Sequence, residues 1–135
     1  MGNAEGNFHC ELIVWHRAVD LCVEVYQLTK TFPREELYAL TSQMRRASVS
    51  IASNIAEGYG RSSRDQYRHF LSIAQGSYLE LQTQLVIARK IGFADSDAVR
   101  KVSGVASEVG KMLAAILRKL RVPLAADPRS LTPNP

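Results

Sequence analysis

At 135 residues and 15.0 kDa the chain has room for one domain with a real hydrophobic core. Its 46% of hydrophobic residues is the ordinary globular proportion, which excludes global disorder. The net charge of +4 is unevenly spread: residues 1–40 hold three basic and six acidic side chains, residues 41–135 fourteen and seven.

The first predicted element follows an N-terminal arm, residues 1–10, and runs from Glu11 to Thr31. Trp15, Ala18, Cys22, Val25 and Phe32 recur at helical spacing, with Leu12, Val19 and Tyr26 widening the stripe. Pro33 ends it, because the residue before a proline is pushed out of helical geometry. Residues 33–40 read as a turn or partial helical lead-in. The second helix spans Thr41 to Gly58 on a seam of Leu40, Met44, Ala47, Ile51 and Ile55. Gly58 and Gly60 read as its caps, since glycine tolerates left-handed backbone.

Ser63 and Gln66 form a capping-box pattern that opens the third helix, and Gly92 stops it after Ile91. Leu71, Ala74, Tyr78, Leu81, Leu85 and Ala88 repeat at alternating steps of three and four, a heptad seam along a rod of about 42 Å. The fourth helix begins at Asp95 or Ser96. Its seam is Val99, Val102, Ala106, Val109, Leu113, Ile116 and Leu120, closed by Arg118, Lys119 and Arg121 with the favourable dipole sign. Pro123 stops it, and residues 122–135 read as a disordered, proline-rich tail.

Four amphipathic helices on short connections predict an all-α fold: an antiparallel up-down-up-down four-helix bundle over residues 11–121. Second apolar stripes (Val49, Ala52 and Ala56; Phe70, Ile73 and Ile87; Val105 and Met112) point to subunits packing together; wide stripes in a monomer are the alternative. Small residues keep the second helix thin, and Gly76 and Ser77 do the same in the third. Asn54 points inward and needs a hydrogen-bond partner such as Ser77. Arg45 and Arg46, about 100° apart, cannot both face the core. One of them is expected to pair with Glu80 across a helix or subunit interface.

Arg61, Arg64 and Arg68, interleaved with Tyr59, Tyr67 and His69, fall beside the third helix's N-terminus. Arginine forks match phosphate, and aromatics among cations suit nucleic acid. The competing reading is a solvated loop whose arginines pair with Glu57 and Asp65. Catalytic patterns are missing: no HExxH, no nucleophile elbow, no ExxH carboxylate pairs, and His9, His16 and His69 are scattered. The expectation is a non-enzymatic protein. No CxxC or HxxxH spacing supports a metal at Cys10, His9 and His16, no disulfide is expected between Cys10 and Cys22, and no cofactor is implied. No apolar run reaches the ~20 residues that span a bilayer. The first residues lack a signal peptide's regions, so a cytoplasmic location is expected.

The stretch "LTSQMRRASVSIASNIAEGYGRSSRDQYRHFLSIAQGSYLELQTQL" closely resembles the bacterial four-helix-bundle family of ribosomal RNA intervening-sequence proteins. These are encoded in insertions within large-subunit ribosomal RNA genes, and the accessory variability determinant of diversity-generating retroelements looks like a relative. The resemblance implies a ring-like homo-oligomer, with a pentamer favoured. In the retroelement relatives it implies a basic surface that binds nucleic acid and the reverse transcriptase. Arg45, Arg46, Asn54, Glu57, Gly58, Gly60, Arg61, Phe70, Gly76, Ser77 and Glu80 carry over as motif positions. Ala52 departs from the proline many relatives have there, so this helix is expected to be straighter.

Three functions follow as expectations. The first is an oligomer binding structured RNA or DNA with little sequence selectivity through Arg61, Arg64 and Arg68, with Lys101, Lys111, Arg118, Lys119 and Arg121 as further contacts. The second is a scaffold docking a partner such as a reverse transcriptase or ribosome-associated factor. The third, a small-molecule-binding bundle, is disfavoured because no polar groups converge on a pocket.

Overall fold

The computed structural model describes residues 5–121, with side chains from residue 13 onward. The expected tail and the roles of His9, Cys10 and Leu12 lie outside the described residues. Four helices and no strand make up what is described: α1 (Glu5–Thr29), α2 (Leu40–Tyr59), α3 (Arg64–Ile91) and α4 (Ser96–Arg121). A single 3-10 turn, Arg34–Glu36, lies between α1 and α2. Helix α1 thus opens at Glu5 rather than Glu11.

Local chemistry sets most of the ends. After Thr29 the backbone tightens, with the Thr31 and Phe32 amides donating to the carbonyls of Leu28 and Thr29. Ser63 Oγ accepts from the Gln66 amide at 3.1 Å, as the capping pattern requires. Gly92 takes φ 91°, its amide bonds the Arg89 carbonyl, and the Phe93 amide reaches back to Ala88. That pairing is a Schellman stop, and it satisfies carbonyls that the helix end would otherwise orphan. Asp95 Oδ1 receives the amides of Asp97 at 2.7 Å and Ala98 at 3.3 Å, which caps α4. Gly60 instead has φ −78°, so left-handed freedom is not what this position uses.

Each helix packs on its sequence neighbours, and α1 also packs on α4. Cross-helix pairs give the direction: Arg45 with Thr29 and Ser48 with Cys22, then Ser50 with Ser77, then Gln82 with Ser107. For the last two pairs of helices the sense is fixed by contacts near their ends, Gly58 against Phe70 and Arg64 against Lys119, so all neighbours run antiparallel. Arg17 closes the circle by donating to Glu108 at 2.6 and 3.0 Å and to Asp20 at 3.0 Å. These hydrogen bonds, that to Glu108 first, raise the Arg17 pKa. The fold is the expected up-down-up-down bundle.

Core positions on α2, α3 and α4 match the sequence seams, with Met44, Ile51, Ile55, Leu71, Leu81, Leu85, Val109 and Leu113 fully enclosed. The seam of α1 matches in part, with Ala18, Val25 and Phe32 buried as expected. Val14, Ala18, Leu21, Val25 and Leu28 face the core, while Trp15 and Cys22 are only half-buried. The stripe keeps Ala18, Val25 and Phe32, and replaces Trp15 and Cys22 by their neighbours Val14 and Leu21. Val105 and Met112 pack against the core as parts of a wide stripe. Val49, Ile73 and Ile87 remain exposed.

Two glycines let helices touch. A Cβ on Gly58 would lie 2.9 Å from Phe70 Cβ, and one on Gly110 would enter the Tyr78 ring at 2.3 Å. Gly58 thus serves α2–α3 contact, and Gly110 serves α3–α4 contact.

Candidate nucleic-acid interface

The antiparallel topology brings the C-terminal end of α2, the N-terminal end of α3 and the C-terminal end of α4 to one end of the bundle. Arg64 opens α3, where the helix dipole disfavours a cation. Its guanidinium reaches instead to the last turn of α4 and donates to the carbonyls of Lys119 at 3.0 Å and Leu120 at 3.1 Å. Those carbonyls have no intrahelical partners, so Arg64 both satisfies them and places positive charge at the negative pole of α4.

Arg61 pairs with Glu57 one turn back, and its guanidinium carbon lies 4.8 Å from the Phe70 ring centroid. Arg68 lies 3.7 Å from Asp65, with its own side chain about half exposed and that of Asp65 largely in solvent. The loop-pairing alternative with Glu57 and Asp65 is therefore realised. Of the three leading cations, Arg64 is committed to structure and Arg61 is partly neutralised.

Arg118, Lys119 and Arg121 are exposed on the last turns of α4, and Lys111 is exposed two turns earlier. From residue 109 to 121 there are four cations and no acidic side chain. Lys101 stands apart, about 30 Å away along the helix at 1.5 Å per residue. It lines a separate cleft with Glu24, Asp95 and Phe93. The structure thus gathers six of the eight predicted contacts at one end, places Lys111 near the middle of α4 and separates Lys101 from them.

The motif residues of α2 and α3 form a polar clasp. Ser50 and Ser77 hydroxyls lie 2.8 Å apart, and Asn54 Nδ2 donates to Ser50 O at 2.8 Å and Ser50 Oγ at 3.0 Å. Asn54 is half-buried and reaches Ser77 through Ser50 rather than directly. No ion pair joins Arg45 or Arg46 to Glu80 within the described residues. Arg45 Nε donates to Thr29 Oγ1 at 2.9 Å, and Glu80 accepts from Gln84 at 3.2 Å. The ion-pair expectation fails inside the chain because Arg45 turns toward α1. Among the described residues, no group of three or more His, Cys, Asp or Glu is placed to hold a metal ion. No described helix is long and apolar enough to cross a membrane.

The sequence reading missed the Arg64 contact, although a cation at the start of a helix was its signal. It also missed Gly110, a glycine in a helix interior that costs about 1 kcal/mol relative to alanine unless a neighbour needs the space. Arg64→Ala is expected to lower stability by about 1 kcal/mol, seen as a Tm fall of about 4 °C. Lys119→Ala, which leaves the backbone carbonyl in place, should leave Tm within a degree or so of wild type. Thermal melts of the two variants check this.

These features define an all-α bundle with a cationic end. The model of the 23S rRNA-intervening sequence protein family matches residues 10–115. The chain belongs to that family. A crystal structure of a protein of unknown function from the S23 ribosomal protein family, from Bacteroides thetaiotaomicron, superposes with a TM-score of 0.76 at 21% identity. The match covers 81% of this chain and 98% of that one, and it supports the fold alone. No curated protein matches the chain.

Proposed function

We propose that this chain is a non-enzymatic oligomeric protein that binds structured RNA or DNA through the cationic end of the bundle. The supporting observation is the run from Lys111 to Arg121, four cations without an acid, beside Arg61, Arg64 and Arg68. Arg118, Lys119, Arg121 and Arg68 are the principal phosphate contacts in this reading, with Lys111 behind them. Lys101 is left out. Such contacts hold a nucleic acid without reading its bases, so sequence selectivity is weak. Fluorescence anisotropy of labelled structured RNA and duplex DNA, titrated with salt, tests the reading. A log–log slope of several units supports it, and no binding at low salt rejects it.

Assembly into a ring, with a pentamer favoured by the family resemblance, is part of the same proposal. Exposed Ile73 and Ile87 support it, as does Gly76, which has nothing within 4 Å of its would-be Cβ in the single chain. Gly76→Leu is expected to abolish the oligomer in analytical ultracentrifugation while leaving the helical content intact. An unchanged sedimentation coefficient would remove Gly76 from the interface.

A docking surface for a partner such as a reverse transcriptase or ribosome-associated factor is the second reading. The exposure of Leu79, Val86 and Ile91 along α3 favours it. A stable co-purifying protein that resists high salt would distinguish it.

A further inference from the structure

Four arginines have described ion pairs, Arg17 with Glu108, Arg61 with Glu57, Arg68 with Asp65 and Arg100 with Asp97, whereas the exposed Arg34, Arg89, Arg118 and Arg121 show none among the described residues. Arg45 and Arg46 have none among the described residues. They line an open cleft of about 540 Å³ between α1, the 3-10 turn and α2. Arg45 is half-buried there, anchored through Nε to Thr29 Oγ1 at 2.9 Å, with its guanidinium carbon 4.7 Å from the Tyr26 ring centroid. Its terminal nitrogens have no acceptor among the described residues. Leu37 and Val49 supply apolar surface, and Ser42 adds a hydroxyl. Tyr38 stands at the rim with 92% of its surface exposed, although a tyrosine ring gains nothing from lying in water.

We infer that this cleft holds an unpaired nucleotide, its base stacked on Tyr38 and its phosphate on Arg45 and Arg46. This rests on the nucleic-acid reading above and deepens it. The chemistry is complementary term by term. Two guanidiniums without carboxylates want an anion, and arginine forks match phosphate oxygens. An exposed aromatic face stacks on any base, and that arrangement of aromatics with cations is how single strands are held. The volume falls in the range of sites that take a small organic group of this kind. A base inside a duplex hides both faces, so the cleft selects unpaired segments (loops, bulges or single strands) over continuous helix. The cationic end of the bundle then holds backbone of any form, and the cleft adds the preference for form. Arg45 and Arg46, expected from the sequence to serve assembly, are reassigned to the ligand.

The test measures anisotropy of fluorescein-labelled oligouridylate and of a blunt RNA duplex of equal length, with wild type, Tyr38→Ala and Tyr38→Phe. Tyr38 is so exposed that neither variant disturbs the core. Wild type is expected to bind both ligands. Tyr38→Ala should weaken oligouridylate binding about tenfold or more and leave the duplex unchanged, whereas Tyr38→Phe, which keeps the stacking face, should match wild type. Equal losses for both ligands, or no loss for either, would overturn the cleft while leaving the nucleic-acid reading intact. A change in sedimentation with Tyr38→Ala, without a change in oligouridylate affinity, would make the cleft a contact between copies and also overturn it. Wild type that binds neither ligand at low salt would remove the nucleic-acid reading, and this inference with it.

Discussion

Gly58→Val is expected to lower the stability of the bundle by about 3 kcal/mol, with a Tm fall on the order of 10 °C. The new Cβ would meet Phe70 Cβ at 2.9 Å and the Tyr67 carbonyl oxygen at 3.3 Å. Neither atom can swing away, because both are fixed to the α3 backbone. The N-terminal part of α3 would have to retreat from α2, opening the packing beside Leu71 and Ile55, both fully buried. Gly104→Ala is the matched control, since nothing lies within 4 Å of its Cβ position. It should stabilise by up to about 1 kcal/mol through helix propensity alone. Chemical denaturation of the two variants therefore gives opposite signs. A Gly58→Val protein as stable as wild type would show that the close approach is not required.

Replacing Arg118, Lys119 and Arg121 together with glutamine is expected to reduce the salt slope of nucleic-acid binding by about 3 and affinity by roughly 100-fold or more near 0.1 M salt. Glutamine is chosen because an acid there would oppose the α4 dipole and confuse binding with stability. Arg64 is left in place, so the bond to the Lys119 carbonyl survives. Lys101→Gln, at the far end of α4, should change neither slope nor affinity. If the triple variant keeps the wild-type slope, the phosphate contacts lie elsewhere on the bundle.

Helix ends and seams were legible where a short-range rule determined them. Ser63, Gln66, Gly92 and Asp95 act within a few residues of themselves, and α4 carries a single apolar stripe that admits one phase. Helix α1 is different. Apolar residues at 13–15, 18–19, 21–23, 25–26 and 28 surround much of its circumference, so periodicity cannot choose between the Trp15 and Val14 faces. Its position between α2 and α4 makes that choice. The candidate site was legible as composition but not as pairing. Arg61, Arg64 and Arg68 read alike in sequence, yet one caps a helix 55 residues away, one pairs back along α2, and one pairs loosely with Asp65 on α3. The cleft at Tyr38 escaped notice because it combines an irregular turn with two helices, and no local pattern announces that meeting.

Connection lengths impose an order on how the bundle comes together. The α2–α3 and α3–α4 links are residues 60–63 and 92–95, whereas α1 reaches α2 through residues 30–39. Closing a short link costs little chain entropy, so the hairpins of α2, α3 and α4 are cheap to form early. The seam between α1 and α4 is the expensive one, since Arg17 and Glu108 are 91 residues apart. Of the four helices, α1 is made before the others yet is the last to be enclosed, and its Val14–Leu28 face stays uncovered on one side until α4 has been synthesised. Contacts formed that late govern how fast the bundle opens more than how fast it closes.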